Sequence, residues 1–227
     1  MEFAIDRREV LRYLGCGTTE PDEATAALVE ECVSQVRLLA TPRYLWREFP
    51  IRMGEGVELA GASFSLEGED IRRHLTGCKS CVLLAATIGS GIEQALRRAQ
   101  VTDMARAVVL DACATAAIEG VCDQVQEEIA KDAQARGKGI TWRFSPGYGD
   151  MPITQQQGFT ALLDTHRKIG LAATGDNILT PRKSVTAVIG ITDLPGQKKK
   201  KSCADCPLRH SCAFHRPLPG RDDAPIV

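Results

Sequence analysis

One segment of the chain, from Asp103 towards Ala135, constrains the fold more than any other, because it forms a single long helical pattern. Its first half is rich in small side chains, which permit close approach by a neighbouring element, whereas charged residues cluster after Asp123. Other structure must therefore cover the middle of this helix. Together with a shorter helix that opens at Gly89, it is expected to form the spine of the fold. The small residues are Ala107, Val108, Ala112, Ala114, Thr115, Ala116 and Ala117.

Apolar residues recur at helical spacing in further stretches, so the long helix is expected to have helical neighbours. The first of these stretches begins at Asp6, whose carboxylate suits the capping position. The last carries Phe159 and Ile169 on its apolar face. The helical stretches are residues 6–15, a segment from Pro21 that ends before Pro42, residues 69–75 and residues 154–169.

Strand patterns lie between these helices. Residues 44–66 combine β-favouring runs with glycines, which predicts two or three antiparallel strands. The apolar run at 79–88 predicts a central strand, and residues 184–191 a β-branched core strand. A short strand is expected at 140–144. The predicted fold class is α+β, with a twisted and largely antiparallel sheet, a long central helix and flanking helices.

The composition excludes several classes of function. A chain of 227 residues that is 44% hydrophobic can bury a real core, and its net charge of -1 creates no general attraction for nucleic acid. The first residues lack an export signal, and no apolar run approaches the roughly 18 residues of a membrane span. We therefore expect a cytoplasmic protein with neither a nucleic-acid nor a membrane partner. In that reducing compartment, the nine cysteines are not expected to form a disulfide framework.

The character of the sequence changes after residue 194. Turn formers followed by a run of lysines are typical of a linker. Beyond this linker, Cys203, Cys206 and Cys212 lie in a segment too short to have its own core, and such segments commonly order around a metal ion or cluster. The predicted units are a main domain over 1–194, a linker over 195–202 and a cysteine-rich tail over 203–227.

The cysteine spacing leaves the metal open. The ligand set of a zinc site could be completed by His210 or His215. An iron–sulfur cluster would prefer a fourth cysteine, such as Cys78 or Cys81, or a ligand from another chain. Cys78 and Cys81 also have the two-residue spacing of a redox or metal pair. Because Cys81 enters an apolar strand, where cysteine usually acts as a small buried hydrophobe, we interpret this pair as packing.

A ligand-binding loop is predicted at residues 142–150, shortly after the long helix has ended. Pro146 stiffens the turn, and Gly147 allows the backbone to approach a ligand closely. Arg143 presents a planar guanidinium that suits a carboxylate or a phosphate. Tyr148 adds an aromatic face that can lie against a cation or a flat ring.

Two other features of the sequence are candidate parts of a site. Glu119 interrupts the small-residue face of the long helix, where a carboxylate is costly unless it is paired, so it either points to solvent or faces a cation. Gly89 and Gly91 lie between a strand and a helix, as in a nucleotide-binding loop. They lack the third glycine of a dinucleotide fingerprint and the lysine of a phosphate loop, and therefore indicate only a helix start.

The combination Arg143-x-x-x-Gly147-Tyr148 resembles the signature of the activation domain of cobalamin-dependent methionine synthase, a domain that binds S-adenosylmethionine. The resemblance spans most of residues 1–192 and is strongest over 107–191. Its supporting segments, similar in order and spacing to that domain, are Phe159 to Leu163, Ile169 to Leu171, Leu179 to Pro181, and Ser184 with Val185.

The resemblance implies a set of ligand-binding residues. Arg143 would pair with the carboxylate of S-adenosylmethionine, while Glu119 and Asp6 would favour its cationic part. Tyr148 could face the positive sulfur, and the backbone of the turn would hold the rest. The implied set is Arg143, Ser145, Gly147, Tyr148, Glu119 and Asp6.

The resemblance also implies a function: reactivation, in trans, of a cobalamin-dependent methionine synthase or another corrinoid protein. The cobalamin would be carried by that partner, and an outside electron donor such as flavodoxin or ferredoxin would supply the reducing electron. Where the synthase continues with Pro-x-Cys-Pro after its tyrosine, this chain has the run from Gly149 to Pro152. Two other functions remain open, a non-catalytic docking module for a corrinoid protein and an iron–sulfur electron carrier to it.

Overall fold

The computed structural model describes residues 3–16 and 19–194 of the chain. Its main feature is a six-stranded antiparallel sheet in the order β3-β2-β1-β4-β8-β5, beside which β6 and β7 form a separate hairpin. The strands are β1 Arg43–Met53, β2 Val57–Leu59, β3 Ser65–Leu66, β4 Cys78–Thr87, β5 Gly139–Ile140, β6 Ala172–Ala173, β7 Leu179–Thr180 and β8 Ser184–Thr192.

Helices cover both faces of the sheet. The long helix packs with three others against one face, and three short helices contribute to the core on the other face. The helices are α1 Arg7–Tyr13, α2 Glu23–Leu39, α3 Glu69–Leu75, α4 Ser90–Thr102, α5 Met104–Ala135, α6 Gln155–Leu163 and α7 Thr165–Ile169.

The central strand β4 divides the interior into two cores. Val82 and Leu84 point to the core beneath α5, whereas Cys81 and Leu83 point to the core beneath α3 and α6. All four side chains are fully buried, because successive residues of a strand face opposite sides and both sides are covered. The predicted central strand and the predicted α+β class are both confirmed by this arrangement.

The small side chains of α5 serve close packing, as the sequence indicates. Ala114 and Ala117 are fully buried, and the backbone of the N-terminal segment crosses the helix at Gly120. A Cβ atom built on Gly120 would lie 2.0 Å from the carbonyl oxygen of Ala4. Val108, near the start of α5, differs from the expectation, because it is 54% exposed.

Two predicted boundaries are corrected by the structure. The helix expected over 154–169 is two helices, because Asp164 adopts a left-handed conformation with φ of 55° and ends α6. The strand expected over 140–144 pairs as β5 only at Gly139–Ile140, and Phe144 forms an isolated bridge with Val188. The β6–β7 hairpin was not predicted, since each of its strands has two residues.

Within the described part of the chain, no helix combines the length and the apolar character needed to cross a membrane.

The packing at Gly120 yields a prediction. In Gly120→Ala the new methyl group collides with the Ala4 backbone, so the N-terminal segment must leave the helix and expose Phe3 and Ile5, which pack against the core. We expect a loss of roughly 1–3 kcal/mol of unfolding free energy, as for other overpacked sites. The melting temperature should fall by about 2–4 °C per kcal/mol.

The matched control is Gly175→Ala, where no atom lies within 4 Å of the added Cβ and φ is ordinary. It should leave the melting temperature unchanged or slightly raised. Equal melting temperatures for Gly120→Ala and the wild type would show that the N-terminal segment does not lie on α5.

Candidate functional site

The predicted ligand-binding loop is a compact turn held by its own backbone. The N–H of Tyr148 donates to the carbonyl of Ser145 at 3.0 Å, and the N–H of Gly147 donates to the carbonyl of Met151 at 2.9 Å. Gly147 has a φ of 90°, which strongly favours glycine. The turn is therefore shaped before any ligand enters.

Asp150 ties this loop to α3. Its carboxylate accepts from the backbone N–H groups of Glu69, at 2.7 Å, and Asp70, at 3.0 Å. The cap residue of α3 is Gly68, which has no side chain to bond the free N–H groups, so the loop supplies the cap from more than 80 residues away in sequence. The backbone bonds from Asp70 and Glu69 lower the pKa of Asp150.

Arg143 ties the loop to α5. Its guanidinium forms ion pairs with Glu119 at 2.9 Å and with Asp123 at 2.8 Å, and it donates to Oε1 of Gln126 at 3.2 Å. The Arg143 side chain is only 13% exposed, whereas those of Glu119 and Asp123 are 43% and 69% exposed. Burial alone would lower the pKa of Arg143, but neighbouring groups, the two carboxylates among them, raise it, so the guanidinium stays charged.

A buried histidine supports the segment that carries Arg143. The ring of His74 lies 4.6 Å from that of Trp142 and 5.3 Å from that of Phe144, measured between centroids. Its Nε2 lies 2.8 Å from the hydroxyl of Thr141, which in turn accepts from the N–H of Gly190 in β8. The residues on both sides of Arg143 are thus packed in place, and His74 has a structural position.

A cavity of about 370 Å³ opens beside these anchors, which is within the usual range for small-molecule sites. One part of its wall comes from α5 and the loop, and the other from α6, β7 and β8. The first part consists of Glu119, Gln126, Trp142, Arg143, Ser145 and Tyr148. The second part consists of Gln156, Leu179, Ser184, Val185 and Thr186.

The structure places four of the six predicted ligand-binding residues, Arg143, Ser145, Tyr148 and Glu119, on the wall of this cavity. Gly147 shapes the turn between them. Asp6 lies in an adjoining groove of about 650 Å³, which shares Glu119 and Arg143 with the cavity.

Asp6 also caps α1, as predicted, by accepting from the N–H of Arg8 at 2.8 Å. Four more acidic residues line the same groove, which gives this side of Arg143 a negative character. They are Glu9, Glu119, Asp123 and Glu127.

Sequence reasoning missed Gln126 and the second part of the wall. Gln126 lies seven residues after Glu119, two helical turns along the same face of α5, and this spacing was a usable signal. Gln156 on α6 and Thr186 on β8 are joined by a hydrogen bond, and no local sequence pattern indicates such a pair.

The cysteine tail lies outside the described residues, so the positions of Cys203, Cys206 and Cys212 stay predictions. Cys78 and Cys81 lie at the start of β4, and burial raises the pKa of the Cys81 thiol well above its usual range. Over residues 3–16 and 19–194, no group of three or more histidine, cysteine or acidic side chains is arranged to hold a metal ion.

No family model matches this chain, and no curated protein matches it in sequence. Its fold is similar to that of the MetH reactivation domain, as seen in a crystal structure of that domain bound to AdoHcy. The TM-score is 0.59 at 14% sequence identity, and the match covers 87% of this chain and 72% of the other. Both share the α+β arrangement of a curled antiparallel sheet and a long helix, so the resemblance inferred from sequence is confirmed for the fold.

The cap supplied by Asp150 predicts a pH-dependent contribution to stability. Because the folded-state pKa is lowered, the stabilisation is present above the unfolded pKa of about 3.9 and is lost as pH falls through the folded pKa. Asp150→Ala should therefore unfold at lower urea concentration than the wild type near neutral pH. The difference between the two urea midpoints should shrink at acid pH.

Asp150→Asn keeps an oxygen that can accept from the N–H groups, but its side chain cannot titrate. The difference between the urea midpoints of Asp150→Asn and Asp150→Ala should therefore not shrink at acid pH. Asp176→Ala, in the β6–β7 turn, serves as a control for the loss of a loop carboxylate. A constant gap between wild type and Asp150→Ala down to acid pH would contradict the capping role.

Proposed function

We propose that this protein reactivates a cobalamin-dependent methionine synthase, or another corrinoid methyltransferase, in trans, by binding S-adenosylmethionine for the reductive methylation of cob(II)alamin. The observation that carries the proposal is the cavity at the Arg143–Tyr148 loop, in a fold similar to that of a domain crystallised with AdoHcy. AdoHcy is the product that remains when S-adenosylmethionine has given up its methyl group.

The charges around the cavity suit the amino-acid part of this ligand. Arg143 offers a rigid fork of donors for a carboxylate, and Glu119 and the adjoining groove offer negative charge for an ammonium and a sulfonium. In the structure, Glu119 and Asp123 form ion pairs with the guanidinium. Since both carboxylates are partly exposed, a ligand carboxylate can replace one of them while the other stays paired.

The mouth of the cavity supports a role for a large partner. Tyr148 is 59% exposed and Ile153, beside Gly147, is 46% exposed. Ile178, 56% exposed, lies in the turn just before Leu179, which lines the cavity. Such an apolar rim around a polar cavity fits a surface that docks onto another protein.

The bound ligand would supply the methyl group on its sulfur. The partner's cob(I)alamin, formed by one-electron reduction of cob(II)alamin, would take this methyl group. The electrons of the broken S–C bond would stay on sulfur. The residues of this chain would bind the ligand, orient its methyl group towards the mouth and exclude water. Arg143, Glu119 and the turn at Ser145 and Gly147 are the groups assigned to binding and orientation.

Calorimetric titration with S-adenosylmethionine tests this function. The wild type should bind, and Arg143→Ala should bind about 10- to 100-fold more weakly, as expected for loss of a charge-assisted hydrogen bond of about 1.5–3 kcal/mol. The matched control is Arg136→Ala, which removes an arginine that pairs with Glu48 and Asp132 away from the cavity. This control should bind as the wild type does.

The same variants are then added to a corrinoid methyltransferase in the cob(II)alamin form, with S-adenosylmethionine and reduced flavodoxin. Methylcobalamin should form with the wild type and Arg136→Ala, and much more slowly with Arg143→Ala. If the wild type binds the corrinoid protein but gives no heat with S-adenosylmethionine, the protein is a docking module, a function for which the apolar rim suffices.

The tail at Cys203, Cys206 and Cys212 is proposed to hold an iron–sulfur cluster that delivers the reducing electron, or a zinc ion that orders the segment. The support is its spacing and its place after the last strand of the main domain.

Anaerobic purification separates the two metals. A cluster predicts visible absorbance that dithionite bleaches, with iron and sulfide bound to the protein, and Cys206→Ser should abolish it. Stoichiometric zinc without visible absorbance would exclude the electron-transfer role. Cys16→Ser, in a cysteine of the main domain that is partly exposed, is the control and should leave the metal content unchanged.

A further inference from the structure

Three consecutive glutamines at the start of α6 have different surroundings. Gln155 is buried and donates from its amide to the carbonyl of Ser65, on β3. Gln157 is exposed and donates to the carbonyl of Thr174, in the β6–β7 turn. Gln156, between them, lines the cavity and is only 6% exposed. Only the middle glutamine therefore faces the proposed ligand.

The carboxamide of Gln156 is held in one orientation. Its oxygen, Oε1, accepts from the hydroxyl of Thr186, which lies on β8 and is 1% exposed. With the oxygen engaged in this way, the NH2 group is directed away from Thr186. Among the residues that the structure describes, none accepts a hydrogen bond from this NH2 group.

A nearly buried amide with free donors on a cavity wall favours a ligand that accepts a hydrogen bond at that point. The group is neutral and is fixed to β8, whereas the charged Arg143 is fixed to α5. The two walls thus offer two different kinds of recognition. Arg143 suits an anionic group, and Gln156 suits a neutral acceptor such as a ring nitrogen.

We propose that Gln156, oriented by Thr186, is the residue that determines base specificity, by donating a hydrogen bond to a ring nitrogen of the adenine of the bound ligand. This inference rests on the proposed function and extends it to the nucleoside half of the ligand. The aromatic side chains of Trp142 and Tyr148, on the same cavity, suit the neighbourhood of a flat base.

The test measures binding of S-adenosylhomocysteine and of its 1-deaza, 3-deaza and 7-deaza analogues, in each of which one ring nitrogen is replaced by C–H. One analogue should bind the wild type about tenfold more weakly than the parent, which corresponds to about 1.4 kcal/mol. Gln156→Leu should bind the parent ligand more weakly than the wild type does, by about the same factor. Parent and analogue should then bind equally, because the donor is gone.

Two further variants keep the test decisive. Thr186→Val keeps the amide but removes the hydroxyl that orients it, and should reduce the discrimination between parent and analogue in a folded protein. Gln157→Leu is the matched control, since the neighbouring glutamine is exposed and lies outside the cavity wall. It should discriminate as the wild type does, and melting curves confirm that each variant is folded.

Several results would overturn the proposal. Equal binding of all four ligands by the wild type, or discrimination that persists unchanged in folded Gln156→Leu, would exclude this role. A loss of affinity confined to 2′-deoxy or 3′-deoxy analogues would assign Gln156 to the ribose and contradict base recognition. A wild type that binds neither S-adenosylmethionine nor S-adenosylhomocysteine would contradict the proposed function itself, whereas binding without discrimination contradicts only the role of Gln156.

Discussion

The candidate site depends on how closely other backbone can approach the middle of α5. Because the residues there are alanines and Gly120, the sheet and the N-terminal segment both lie directly against the helix. Glu119, the residue before Gly120, is thereby held at a point where the adjoining groove and the cavity meet. Larger side chains on this face would separate the layers, and Arg143 would no longer reach its partners on the helix.

The loop at 142–150 is fixed near both of its ends by charged groups on different elements. Arg143 binds α5 through ion pairs, and Asp150 caps α3 through its carboxylate. Backbone hydrogen bonds among Ser145, Gly147, Tyr148 and Met151 close the turn. A binding loop that is ordered in this way loses less conformational entropy when a ligand enters, so more of the interaction free energy appears as affinity.

The sequence predicted those features that repeat along the chain. The apolar run of β4, the long helical pattern of α5 and the cap at Asp6 depend on neighbouring residues, and the structure confirms them. What the sequence did not predict depends on contacts between distant segments. The hydrogen bond from Thr186 to Gln156 and the cap of α3 by Asp150 are of this kind. The break at Asp164 was missed for a different reason, since a single left-handed residue interrupts the chain without disturbing its apolar spacing.

Strand β8 connects the cavity to the point where the described chain ends. Thr186, near its start, lies on the cavity wall, and Thr192, at its end, pairs with Cys78. Thr192 lies six positions beyond Thr186 on the strand, a distance of about 20 Å. The cavity wall and the end of the described chain therefore lie at opposite ends of one strand, which is hydrogen-bonded to neighbours on both edges. Leu194 is accordingly remote from the cavity wall, and a substitution there would change no side chain that lines the cavity.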